Sequence, residues 1–237
     1  MKINYVVACY MGIRRNHVLD PYEFVIAHLK TLDEYQDENI YKITLVLNVD
    51  ADEGDSFFNY FYMFCQSRPY LKDRIDFMFR ENKGFSYASW EDAIIQNMEQ
   101  ADYFFLVEDD YLPGYKDYYR PFLEQLMNKN IGYCCSKVSH THGRHAGMSS
   151  GMMRADVARI VYDAFGVVFN IERAATQYGM GEWSQIHFLD LMERAGYTFN
   201  DPSHIVSTPF YDIHKNLIEY GNPDGPCPLK PILEVTV

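Results

Sequence analysis

The chain has 237 residues, 48% hydrophobic, 23% charged and 16% aromatic, with a formal net charge of −12. That apolar content supports a folded core and excludes a disordered chain, and so acidic a balance argues against nucleic acid or anionic lipid as the main partner. The five cysteines (Cys9, Cys65, Cys134, Cys135 and Cys227) are odd in number and lack Cys-x-x-Cys spacing, which excludes a disulfide framework or zinc site as the expectation and favours a reducing, cytoplasmic setting.

Residues 3–9 read as a buried strand. Asp20-Pro21-Tyr22-Glu23 then opens a helix with a cap, a first-turn proline and a capping-box glutamate, and Tyr22, Val25, Leu29 and Leu32 follow at helical spacing. Residues 43–48 form a second apolar strand that runs into Asn48-Val49-Asp50-Ala51-Asp52. The aromatic stretch 57–65 is expected as a helix, with a strand left open by its Phe and Tyr content. A strand over 75–79, a helix over 86–98 and a strand over 103–107 complete the first half. Short apolar strands alternating with helices predict a largely parallel α/β sheet with helices on both faces.

Ligands of such sheets bind beyond the carboxyl ends of the strands. That rule gathers Cys9-Tyr10, Asn48 to Asp52, Glu81-Asn82 and Glu108 to Asp110 on one edge. The last group poses a physical problem, because Tyr-Phe-Phe-Leu-Val runs straight into three consecutive carboxylates. Glu108, Asp109 and Asp110 repel one another, and holding them at the mouth of an apolar core is costly unless a cation is bound there. Three oxygens from one strand end suit a hard ion, Mn²⁺ or Mg²⁺; a solvated acidic turn is the alternative.

In the second half, 118–128 is expected helical, 131–138 strand, and 154–165 helical with Val157, Ile160, Val161 and Ala164 on one face. A helix over 182–195 is predicted to end at Gly196. The tail over 222–231 holds four prolines and is expected on the surface. No apolar stretch reaches the roughly eighteen residues of a membrane span, so neither a span nor a signal peptide is expected.

The order of these parts resembles the GT-A glycosyltransferases, family 2-like enzymes above all. Glu81-Asn82-Lys83-Gly84-Phe85-Ser86-Tyr87-Ala88 is similar to the family's Asn-x-Gly-x-x-x-Ala element, and Glu108-Asp109-Asp110 stands where the family places Asp-x-Asp. Its Glu-Asp-Asp form is similar to that of N-acetylglucosaminyltransferase I. The resemblance implies a single Rossmann-like domain, with a nucleotide-sugar-binding half (1–115) and an acceptor-binding half (116–237). It makes Asp110 a metal ligand and gives Glu108 and Asp109 to ribose or to a water on the metal. It points to Asp50, Tyr10, Asn82 and Lys83 for the nucleotide, with Arg80 also available for phosphate.

Ser149-Ser150-Gly151-Met152-Met153-Arg154 resembles the family's loop past the donor sugar, which brings in Ser150 and Gly151. Gly181-Glu182-Trp183 resembles the Glu-Asp motif with Trp183 in place of the acid, making Glu182 the expected base and Asp190 its rival. Trp183 or Trp90 could stack on a sugar, and His214 matches a late histidine that closes the metal site. His140, His142 and His145 are expected in an acceptor-side loop, although His-x-His can supply two zinc ligands.

The implied activity is metal-dependent transfer of a sugar from a nucleotide sugar to a glycan or other hydroxyl acceptor, with inversion. A nucleotidyltransferase on a related sheet and a non-catalytic carbohydrate-binding protein are the alternatives.

Overall fold

A computed structural model describes residues 1–12, 21–49, 54–81, 85–135, 138–139, 145–146, 150–170, 188–200 and 210–212. The first strand, β1 (Ile3–Tyr10), shows why its sequence is apolar without alternation. Tyr5, Val7 and Cys9 enter one core layer while Val6 and Ala8 enter the other, so both faces are covered. The same division holds for β2 (Ile40–Asn48), β3 (Ile75–Arg80) and β4 (Tyr103–Glu108).

Helices α1 (Pro21–Tyr35), α2 (Gly54–Gln66), α3 (Pro69–Lys72) and α5 (Arg120–Leu126) contribute to one layer. The other holds α4 (Phe85–Asn97), α6 (Ala155–Phe165) and α7 (Asp190–Arg194). The aromatic stretch from Phe57 is therefore helix: Phe57 and Phe61 fall four apart and are both buried. On α6, Val157, Ala158 and Val161 are buried, whereas Ile160, expected on that face, is 43% exposed. Gly196 follows α7 with φ +91° and donates its N–H to the Glu193 carbonyl, as its predicted place past a helix end requires.

The seven-stranded sheet has the order β10-β6-β9-β4-β1-β2-β3, where β6 is Ile131–Cys135, β9 Ser150–Arg154 and β10 Thr198–Phe199. All neighbours are parallel except at β9, which runs antiparallel to both β4 and β6. The segment expected as a loop over 149–154 is thus, from Ser150 to Arg154, a central strand. Its Met152 and Met153 are buried in opposite layers, a placement that depends on pairing with β4 and leaves little periodicity in five residues.

Two short ribbons accompany the sheet: β5 (Tyr111–Pro113) pairs antiparallel with β11 (Phe210–Asp212), and β7 (Val138–Ser139) with β8 (His145–Ala146). Among the described residues no helix is long and apolar enough to cross a membrane.

Candidate active site

Five strands end on one rim: β1 at Tyr10, β2 at Asn48, β3 at Arg80, β4 at Glu108 and β6 at Cys135. The reversed β9 starts there, with Ser150 opposite Val107. The rim predicted from the strand ends is therefore present, and it brings together Tyr10, Glu108, Asp109, Asp110 and Ser150.

The three carboxylates do not point the same way. Glu108 continues the face of Phe104 and Leu106 toward α4, where the Ser86 hydroxyl donates to its Oε1 at 2.5 Å. Asp109 lies between the ends of β4 and β1. Its Oδ2 accepts the Tyr10 backbone N–H at 2.9 Å, its own N–H reaches the Ala8 carbonyl at 3.2 Å, and it is 2% exposed. Asp110 turns toward α1, where its charge acts on His28.

Among the described residues, no three His, Cys, Asp or Glu side chains are grouped to hold a metal ion. The three acids expected at one strand end thus leave it in different directions. Carboxylate chemistry at the turn still suits a hard divalent cation.

His28 is the most consequential residue that spacing did not reveal. It is fully buried beneath the turn, its Nδ1 3.2 Å from the Tyr5 hydroxyl. Burial brings the ring down from 6.5 to about 4, while the Asp110 carboxylate and the carbonyls of Asp109 and Glu108 pull the other way. The site thus rests on a neutral imidazole at physiological pH.

Asn48 serves as a joint: its Nδ2 donates to the Cys9 carbonyl at 3.0 Å and to Ser89 Oγ at 2.9 Å, and its Oδ1 accepts from Arg80 at 3.0 Å. Arg80 also pairs with Asp92 at 2.9 Å, and its side chain is 17% exposed. Trp90 is likewise core, fully buried with its indole N–H 3.3 Å from the Val107 carbonyl.

Tyr10 is 37% exposed at the rim and its ring covers Gly12. Ser150 and Gly151 lie inside the sheet edge, and a Cβ on Gly151 would collide with the ring and hydroxyl of Tyr133, so this glycine makes room for a neighbour. Asn200 is a further unforeseen clamp, its side chain accepting the Cys135 N–H at 2.8 Å and donating to the Cys135 carbonyl at 3.2 Å.

Asp190 opens α7 and is partly buried. The chain reaches it through Phe188, buried against Tyr87, Tyr133 and Phe169. β11 places Asp212 opposite Tyr111, one residue from Asp110. Asp50, Asp52, Asn82, Lys83, Gly84, His140, His142, Glu182, Trp183, His214 and the tail over 222–231 lie outside the described residues, and for His145 the description covers the backbone of β8.

No protein-family profile and no curated protein matches the chain. Solved structures do match. The mannosyltransferase PcManGT of Pyrobaculum calidifontis, in complex with GDP-Man and Mn²⁺, superposes with a TM-score of 0.54 at 14% identity, over 98% of this chain and 68% of that one. The catalytic domain of Drosophila β1,4-galactosyltransferase 7, in complex with xylobiose, gives 0.51 at 13% identity, over 91% and 72%. The 4-diphosphocytidyl-2C-methyl-D-erythritol synthase of Anaerococcus prevotii gives 0.50 at 9% identity, over 87% and 90%. At these identities the likeness is one of fold: the chain has the mostly parallel α/β architecture shared by GT-A glycosyltransferases.

Proposed function

We propose that this protein is a metal-dependent glycosyltransferase that moves a sugar from a nucleotide sugar to an acceptor hydroxyl with inversion. The observation that carries the reading is the rim itself, where Tyr10, Glu108, Asp110 and the start of β9 converge in a fold shared with a GDP-Man- and Mn²⁺-bound mannosyltransferase. In this reading residues 1–115 hold the nucleotide and 116–237 the acceptor.

Tyr10 stacks on the base or ribose, with Asp50, Asn82 and Lys83 completing the nucleotide pocket. Glu108, held by Ser86, faces the ribose or a metal-bound water. Asp109 keeps its nucleotide-side place indirectly, by fixing the Tyr10 backbone. Asp110 and His214 would hold Mn²⁺ or Mg²⁺, which when bound neutralises the departing diphosphate. Ser150, Gly151 and Trp183 border the sugar, and Glu182 deprotonates the acceptor hydroxyl, with Asp190 the rival base.

The synthase neighbour keeps a nucleotidyltransferase as the second reading, because the fold serves both. A thermal-shift screen of UDP-, GDP- and dTDP-sugars with Mn²⁺ finds the donor by linkage. Incubation with that donor then separates the readings: a transferase releases nucleoside diphosphate, whereas a nucleotidyltransferase exchanges pyrophosphate and a binding protein releases nothing. Asp110→Ala should abolish metal-dependent donor binding. Glu182→Gln should lower turnover by about 10²- to 10⁴-fold while nucleotide affinity stays, and intact transfer in that variant with loss in Asp190→Asn would move the base to Asp190.

A further inference from the structure

β3 is the last strand of the sheet on one side. Among the described residues no strand pairs with its outer edge. On the inner side, Ile43 N–H bonds to the Arg74 carbonyl at 2.8 Å and Val49 N–H to the Arg80 carbonyl at 3.1 Å. Even-numbered residues of β3 therefore turn their backbone groups to β2, and Ile75, Phe77 and Phe79 turn theirs outward.

This edge has neither proline nor bulge. It is flanked by an aromatic patch instead. Phe79 is 47% exposed and Tyr62 40%, joined through Phe58, whose ring lies 5.2 Å from Phe77, 6.0 Å from Phe79 and 5.4 Å from Tyr62.

We propose that β3 pairs antiparallel with β3 of a second copy of this chain, about a twofold axis through Met78, forming one continuous sheet across the dimer. The pattern of outward backbone groups requires the axis to pass through a residue, and charge selects which one. An axis at Met78 sets Asp76 opposite the second copy's Arg80, twice, and Phe77 opposite its Phe79 in a hydrogen-bonded pair. An axis at Phe77 would set Arg74 against Arg80, and one at Asp76 would set Asp76 against itself. An axis at Phe79 pairs no opposite charges within β3.

The two kinds of pair occupy different faces. Phe77 and Phe79 lie on the α2 side, where the aromatic patches of the two copies meet. Asp76 and Arg80 lie on the α4 side, where Asp76 is held by Lys42 at 2.8 Å and Arg80 by Asp92 at 2.9 Å. Association joins these pairs into a chain of alternating sign, Lys42, Asp76, Arg80 and Asp92, across the axis. The occupant is thus a second copy, because the strand is complementary to itself in one register.

Sedimentation velocity over a protein concentration series tests this, with circular dichroism melts confirming that each variant folds. The wild type should show a concentration-dependent monomer–dimer equilibrium. Phe79→Lys and Asp76→Lys should each weaken the dimer about tenfold or more, since each alters two symmetric contacts. Met78→Cys should give a disulfide-linked dimer on mild oxidation that the identically treated wild type does not, because residues facing each other across a non-hydrogen-bonded pair lie within disulfide reach. A wild type that stays monomeric throughout overturns the proposal. So does a dimer that is unaffected by Phe79→Lys and Asp76→Lys and is not cross-linked through position 78.

Discussion

Acidification should destabilise this protein through His28 before ordinary carboxylates titrate. The ring is fully buried between Tyr5 and the acidic turn and its value falls from 6.5 to about 4, so between those values the unfolded chain binds a proton that the folded chain refuses. Stability therefore rises with pH in this window and is lost as pH falls from 6.5 toward 4. The full effect is about 3 kcal/mol, of which about 2 kcal/mol is lost between pH 7.5 and 5.

The assay is urea unfolding of the wild type and of His28→Gln at half-unit pH steps, extrapolated to water. His28→Gln is less stable throughout because it repacks a buried site, but its stability should vary less with pH. The wild-type advantage should therefore shrink by about 2 kcal/mol from pH 7.5 to 5. Taking the difference cancels other groups, including Glu91, whose carboxyl is pushed up by burial. An advantage that stays constant over this range would show that His28 protonates without penalty, refuting the buried neutral ring.

The divergence of the triplet predicts different phenotypes for neighbouring acids. Asp109→Ala should cost about 1–3 kcal/mol in the same denaturation assay, because the Tyr10 amide loses its acceptor where little water reaches, and Asp110→Ala should cost less. Gly151→Ala should destabilise by about 1–3 kcal/mol through contact with Tyr133. In a Tyr133→Ala background that penalty should fall by about 1 kcal/mol or more, and a double-mutant cycle reads the difference.

The four strands and three principal helices of the first half were legible because the strands read as apolar runs between polar ends, with β1, β2 and β4 buried on both faces. Their convergence followed from parallel topology, so Tyr10 and Glu108 to Asp110 could be placed together from spacing alone. Direction could not be. Consecutive acids look equivalent in one dimension, yet Glu108 turns to Ser86, Asp109 to the Tyr10 amide and Asp110 toward His28. Asn48, Arg80 and Asn200 were hidden for a related reason, since their partners lie on other strands and helices. β9 and the β5–β11 ribbon escaped because segments of three to five residues acquire strand character from pairing partners far along the chain.

The reversed strand has an evolutionary consequence. β9 fills the seam between β4 and β6, with five residues in register along β4. A graft that exchanged everything after residue 115 for a relative's sequence would have to supply a replacement strand matching the rise, twist and side-chain volumes of Phe104 and Leu106. New binding preferences should therefore arise more readily by changing the segments that leave this seam than by shuffling halves, and a chimera spliced at residue 115 should keep its fold when residues 150–154 are retained from the parent of β4.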